Sequence, residues 1–159
     1  MAVTLRKSKP DDDDLLLRLF AEHKAEEFAL LGMGEEQRRF MVTMQYRLRC
    51  AGYGADFPAA IQQIVEEDGD PIGHLLLDEG PHGLRIVDIA VAGTHRGRGV
   101  GTAVLRTLCE RAGSQGRSIR LRVIPHSAAA RLYRRLGFVV VSGDEMGEEM
   151  IWRSSAIDQ

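Results

Sequence analysis

The stretch that most constrains this chain is "HRGRGVGTAV", His95 to Val104, where three glycines and two arginines fall within seven residues and then give way to a helical apolar pattern. It follows "LRIVDIAV", whose β-branched residues read as a strand. It opens "VGTAVLRTLCERAG", where Val100, Val104, Leu105, Leu108, Cys109 and Ala112 recur at helical spacing on one face. A second strand, "SIRLRVI", comes next. Strand, helix and strand in this order specify a parallel crossover, so the turn from His95 to Gly101 sits at the end of a strand and the start of a helix.

The flanks fill in an α/β domain. "VTLRK" alternates as a short strand, and "KPDDDDLLLRLFAEHKAEEF" changes to helical spacing. Asp11 to Asp14 read as an N-cap and an acidic first turn behind Pro10, matched to the helix dipole, rather than as a metal site. A second helix is expected from about Glu35 to Cys50, with Phe40, Met41, Met44 and Leu48 as its core stripe. "AIQQIVEE", "IGHLLLD" and "LRIVDIAV", separated by "DGDP" and "EGPHG", read as an antiparallel meander. The acidic "EEDGD", Glu66 to Asp70, is explained by a hairpin turn. The chain ends in a short helix "SAAARLYRRLG", a strand "FVVVS", a turn and a last strand "EEMIWR", with Trp152 assigned to the core.

At 159 residues and 44% hydrophobic, residues 1–159 are expected to form a single domain around one core. The net charge of −2 argues against nucleic acid as a main partner. No stretch is apolar enough to anchor in a membrane, so a cytoplasmic protein is expected. Cys50 and Cys109 lack metal-ligand or disulfide spacing and read as buried free thiols. Arg120 and Arg122 alternate with Ile119, Leu121 and Val123 and read as a solvated strand face.

A glycine-rich turn at a helix start suits an anionic group. Glycines admit close approach to the backbone, the first helical N–H groups lack intrahelical acceptors, and Arg96, Arg98 and His95 add positive charge. The spacing is neither G-x-G-x-x-G nor a P-loop, since no Lys-Ser or Lys-Thr follows. It is R-x-x-G-x-G, Arg96 to Gly101, and this resembles the acetyl-coenzyme A loop of the GNAT superfamily of N-acetyltransferases. "ARLYRRLGF", Ala130 to Phe138, resembles that superfamily's second signature. Where many members carry asparagine shortly before the signature tyrosine, this chain has His126 and Ser127, and Ser127 retains the ability to cap the helix.

The resemblance implies a GNAT fold, with a mixed, mostly antiparallel sheet of about seven strands and helices on both faces. It implies acetyl-CoA as cosubstrate with no metal, and a primary amine of a small molecule or protein as acceptor, shaped by roughly Asp11 to Gly54. The parallel strands are expected to splay where the first bulges. Backbone groups of Ile89, Ala90 and Val91 are then expected to bind the pantetheine arm. Arg96, Gly97, Arg98, Gly99, Val100, Gly101 and Thr102 are expected to hold the pyrophosphate, with Ser127 also at the cofactor. Tyr133 matches the family's general acid. Asp88, an acid among the apolar residues of its strand, is the candidate base, and His74 is the other choice; for each, a satisfied polar residue or an acceptor contact together outweigh the role of base. A non-catalytic coenzyme A-binding or regulatory module is the alternative function, and a homodimer is left open.

Overall fold

The computed structural model describes residues 2–81 and 83–154. Its elements run β1 (Val3–Lys7), α1 (Asp13–Ala29), α2 (Glu35–Asp56), β2 (Ile61–Glu67), β3 (Asp70–Gly80), β4 (Gly83–Val91), α3 (Val100–Ser114), β5 (Ser118–Val123), α4 (Ala128–Arg135), β6 (Val139–Asp144) and β7 (Gly147–Trp152). The seven strands form one sheet in the order β1-β2-β3-β4-β5-β7-β6. Among the described residues only β4 and β5 pair in parallel; every other neighbouring pair is antiparallel. This is the expected meander followed by the expected crossover. Asp68 and Gly69 both hold positive φ, as the two-residue "DG" hairpin between β2 and β3 requires.

The main core joins α3 and α4 to one sheet face: Val104, Leu105 and Leu108 pack with Leu75, Leu77, Ile86, Leu121 and Met150, and Tyr133 and Phe138 close the α4 end. On the other face α1 lays Leu15, Leu16 and Leu19 against Ile64, and Phe20 and Phe28 meet Val42 of α2. Helices therefore cover both faces, as expected.

Asp12 stands at the N-cap of α1 without a side-chain cap hydrogen bond to that helix, a departure from the expected cap; its carboxylate reaches back instead across the short 3-10 turn Pro10–Asp12. Asp12 accepts from the Lys9 N–H at 2.7 Å and from the Arg6 guanidinium at 2.8 and 2.9 Å. Those bonds hold its carboxyl down at about 2. Asp12 thus ties β1 to the start of the helix that follows it.

Two expectations about α2 are corrected. The helix continues to Asp56 rather than ending near Cys50, and Phe40, Met44 and Leu48 face outward, Leu48 being 68% exposed. The inward face is Val42, Tyr46, Arg49 and Tyr53, offset from the apolar stripe by two residues, about 200° around the helix. Neighbouring α1 and the sheet present a cavity to this helix as well as a packed core, and the cavity takes the amphipathic tyrosine and arginine side chains. Cys50 is exposed, not buried, because it follows Arg49 on the rim of that face; Cys109 is half-buried against the main core. Arg120 and Arg122 are exposed, as expected.

Candidate active site

The site is organised by one extra residue in β4. In the β3–β4 ladder Leu77 stands opposite Ile86 and Leu76 opposite Asp88, so Val87 has no partner and forms a bulge. Strand parity changes there. Leu84 and Ile86 point into the main core before the bulge, and Ile89 and Val91 pack against the same core after it. Strict alternation would have sent Asp88 into that apolar core; the bulge places it on the α1–α2 face instead.

The same irregularity coincides with the end of parallel pairing. β4 pairs with β5 only from Gly83 to Ile86, opposite Ser118 to Leu121. Beyond that the strands part, and an opening of about 390 Å³ is lined by Ile86, Val87, Val123, Ile124 and Gly147 among others. Ile89, Ala90 and Val91 follow in the segment that has left β5, held on their other side by Leu75, His74 and Gly73 of β3. That close pairing needs Gly73, where a Cβ would lie 2.5 Å from the Ala90 carbonyl oxygen.

From the end of β4 the chain makes the glycine turn. Gly97 and Gly99 adopt φ of 75° and 81°, and nothing lies within 4 Å of the place a Cβ would occupy at either. Gly99 is the N-cap of α3 and no side chain caps it. Ala103 N–H makes the first intrahelical bond, to Gly99 O at 2.9 Å, leaving the N–H groups of Val100, Gly101 and Thr102 ahead of it. Arg96 donates from Nε to Val91 O at 3.0 Å, which fastens the turn to the strand end. Arg98, exposed, reaches Glu67 at 3.0 Å. The turn therefore offers backbone donors, open space over two glycines and an arginine on either side of Gly97, a set that fits a pyrophosphate.

On the α1–α2 side of the bulge lies a cavity of about 280 Å³, with Leu16, Phe20, Arg49, His74, Leu76 and Asp88 in its walls. Its polar wall is a chain of hydrogen bonds. Gln62 Nε2 faces the carbonyls of Gln63 and Leu75, which makes it the donor nitrogen, and it also meets His74 Nδ1 at 2.9 Å. Nδ1 of neutral His74 must then accept, so Nε2 carries the proton that faces Asp88 Oδ2 at 3.2 Å. Asp88 Oδ1 accepts from Arg49 Nη2 at 3.0 Å. Burial works to raise the Asp88 carboxyl, but the hydrogen bond from His74, the charge of Arg49 and the Ile89 N–H outweigh it and hold it below the usual range.

Ser127 caps α4, accepting from the Ala130 N–H at 3.1 Å and donating to Ile124 O at 2.7 Å, and His126 before it takes a φ of 64°. Its hydroxyl is occupied by this turn. Six residues on, Tyr133 is 6% exposed, its ring centroid 5.5 Å from that of Phe138. Burial, and secondarily the charge of Asp88, push its phenol up to about 12.

The structure thus brings Asp88, His74 and the Ile89–Ala90 segment to one cavity wall. The glycine turn and Ser127 lie at the starts of α3 and α4. Sequence reading overlooked Arg49, Tyr53 and Gln62. The available signal was the second face of α2, where Tyr46, Arg49 and Tyr53 recur at helical spacing beside the more conspicuous methionines. Among the described residues no helix is long and apolar enough to cross a membrane, and no cluster of three or more His, Cys, Asp or Glu side chains could hold a metal ion.

A family model described as the acetyltransferase (GNAT) family matches residues 17–138. No curated protein matches the chain. Among solved structures, the chain is similar to the PaiA N-acetyltransferase of Thermoplasma acidophilum in complex with coenzyme A, at 16% identity and TM-score 0.68, over 96% of this chain and 99% of that one. An acetyltransferase of Thermus thermophilus is similar at 22% identity and TM-score 0.65, over 96% and 97% of the two chains. The ribosomal-protein-S18-alanine N-acetyltransferase of Escherichia coli is similar at 18% identity and TM-score 0.61, over 97% and 95%. At these identities the structures show a shared fold. With the family match over most of its length, this chain belongs to the GNAT family of acetyltransferases.

Proposed function

We propose that the protein transfers the acetyl group of acetyl-CoA to the nitrogen of a primary amine. The observation that carries this reading is a shared wall. Ile86 and Val87 line the opening between β4 and β5, the next residues Asp88, Ile89 and Ala90 line the cavity under α1 and α2, and Tyr53 and Phe57 border both. A donor lying in the first space and an acceptor in the second would meet across three or four residues of one strand. Such placement makes a large contribution to a two-substrate transfer.

In this reading Arg96 to Thr102 hold the pyrophosphate, and main-chain groups of Ile89 to Val91 hold the pantetheine arm, with one N–H able to polarise the thioester carbonyl. Acetyl-CoA supplies the acetyl group and departs as the thiol. Ser127 acts by fixing the start of α4, which carries Tyr133. The Tyr133 phenol remains protonated at neutral pH and can donate a hydrogen bond to the departing sulfur. Its value of about 12 lies above the ~8.5 of an ordinary thiol, so it stabilises the thiolate more readily than it surrenders its proton. Asp88, held ionised with both oxygens engaged, suits an electrostatic contact to the acceptor nitrogen better than storage of its proton.

An amine-panel assay that follows thiol release tests the reading. Release that requires both acetyl-CoA and an amine, with an N-acetyl product by mass spectrometry, is the expected result. Coenzyme A binding without release across the panel would instead support a non-catalytic coenzyme A module.

A further inference from the structure

We propose that the acceptor is a small α-amino acid with an apolar side chain, its α-carboxylate held by Arg49 and its amino group by Asp88. This rests on the amine-acetylation reading above and names the substrate class of the same site.

Arg49 is fixed on several sides. Nη2 donates to Asp88 at 3.0 Å, Nε donates to the Tyr53 hydroxyl at 3.0 Å, and the guanidinium lies over the rings of Phe20 and Tyr53 at 5.4 and 5.2 Å from their centroids. A cation stacked and tethered in this way gives up its conformational freedom on folding rather than on binding. Its remaining nitrogen, Nη1, has no hydrogen-bond partner among the described residues, and the side chain lines the cavity. A preorganised guanidinium edge of this kind is suited to one oxygen anion.

The neighbouring charge specifies the rest. Arg49 and Asp88 present a cation and an anion in direct contact on one wall. An α-amino acid presents an anion and an amine on a single carbon, so the two pairs can align in opposite sense. Acceptors that carry only positive charge fit poorly, because Arg49 repels them and they bring no anion to offset it. The remaining walls include Leu16, Leu19, Phe20, Phe57 and Leu76, which favour an apolar side chain. A volume of about 280 Å³ lies just under the ~300–1,000 Å³ typical of drug-sized ligands, which suits a single amino acid.

The transfer balances without a further reactant. The bound ammonium releases one proton to water, the nitrogen forms the C–N bond as the thioester C–S bond breaks, and the second nitrogen proton ends on the departing sulfur.

The test compares three probes of one shape with the wild-type protein: L-leucine, L-leucine methyl ester and 3-methylbutylamine. The expected result is a kcat/KM for leucine on the order of a hundredfold above that for either carboxylate-free probe, since a site built around a polar group discriminates against analogues lacking it. In Arg49→Gln the ratio should fall to within about tenfold. Equal use of the three probes by the wild type overturns the proposal while leaving amine acetylation standing, and so does an unchanged ratio in a folded Arg49→Gln. No transfer to any amine overturns both. If Arg49→Gln does not fold, the wild-type ratio alone decides.

Discussion

His74 Nε2 lies 3.2 Å from Asp88 Oδ2, although the two residues belong to different strands and occupy diagonal rather than opposed positions in the β3–β4 ladder. Two residues that read in sequence as rival proton acceptors are one hydrogen-bonded unit. Gln62 fixes the tautomer from behind His74, and Arg49 holds the other oxygen of Asp88. The unit keeps a carboxylate ionised at the cavity wall.

Asp88→Asn keeps the shape and removes the charge. The apparent KM for the acceptor should rise on the order of tenfold while kcat stays within a few-fold, measured from pH 7 to 9. A loss confined to kcat that narrows as the pH rises would return Asp88 to the role of proton acceptor, because more of the amine is already neutral at high pH.

Tyr133→Phe removes the hydroxyl and keeps the buried ring against Phe138. Turnover in a chemistry-limited assay should fall on the order of a hundredfold with little change in coenzyme A affinity. Because the phenol is pushed up to about 12, the wild-type rate should show no loss from its ionisation below about pH 10. Unchanged turnover in the variant would assign Tyr133 to packing alone.

Gly99→Val places a β-branched side chain at φ 81°, where the residue is strained, and fills open space at the start of α3. Calorimetric titration should show loss of detectable coenzyme A binding, and Arg96→Ala should weaken it. An affinity equal to wild type in Gly99→Val would place the pyrophosphate elsewhere.

Gly73→Ala tests the support behind the β4 segment, because the added Cβ would meet the Ala90 carbonyl oxygen at 2.5 Å and this backbone cannot swing away as a side chain can. Thermal melting should show a destabilisation of about 1–3 kcal/mol, the range for overpacking, with weakened coenzyme A binding in the folded fraction.

The Arg6–Asp12 pair predicts a step in acid stability. Its folded-state carboxyl lies at about 2, below the ~3.9 of an unfolded chain, so its contribution is complete above pH 4 and is lost as the pH falls through 2. Melting temperature followed over that window should drop in wild type and change less in Asp12→Asn, which lacks the contribution at every pH.

Local rules made much of this protein legible in its sequence. The 3.6-residue spacing of Val100, Val104, Leu105 and Leu108, the "DG" hairpin at Asp68 and Gly69, the aspartates at the start of α1 and the glycines from Gly97 to Gly101 each act within a few residues of chain. Short-range sterics and hydrogen bonding therefore decide them wherever the segment finally packs. Family resemblance carried the splayed strands and Tyr133. The outward turn of Phe40, Met44 and Leu48 was not legible, since α2 has two amphipathic faces and only the cavity against α1 and the sheet selects Tyr46, Arg49 and Tyr53 for the inside. Nor was the coupling of Asp88 to His74, Gln62 and Arg49, which lie on three other elements. It exists because one unpaired residue, Val87, reverses the facing of β4, and the position of that residue depends on the register β4 adopts with β3, a property of two strands that neither segment specifies alone.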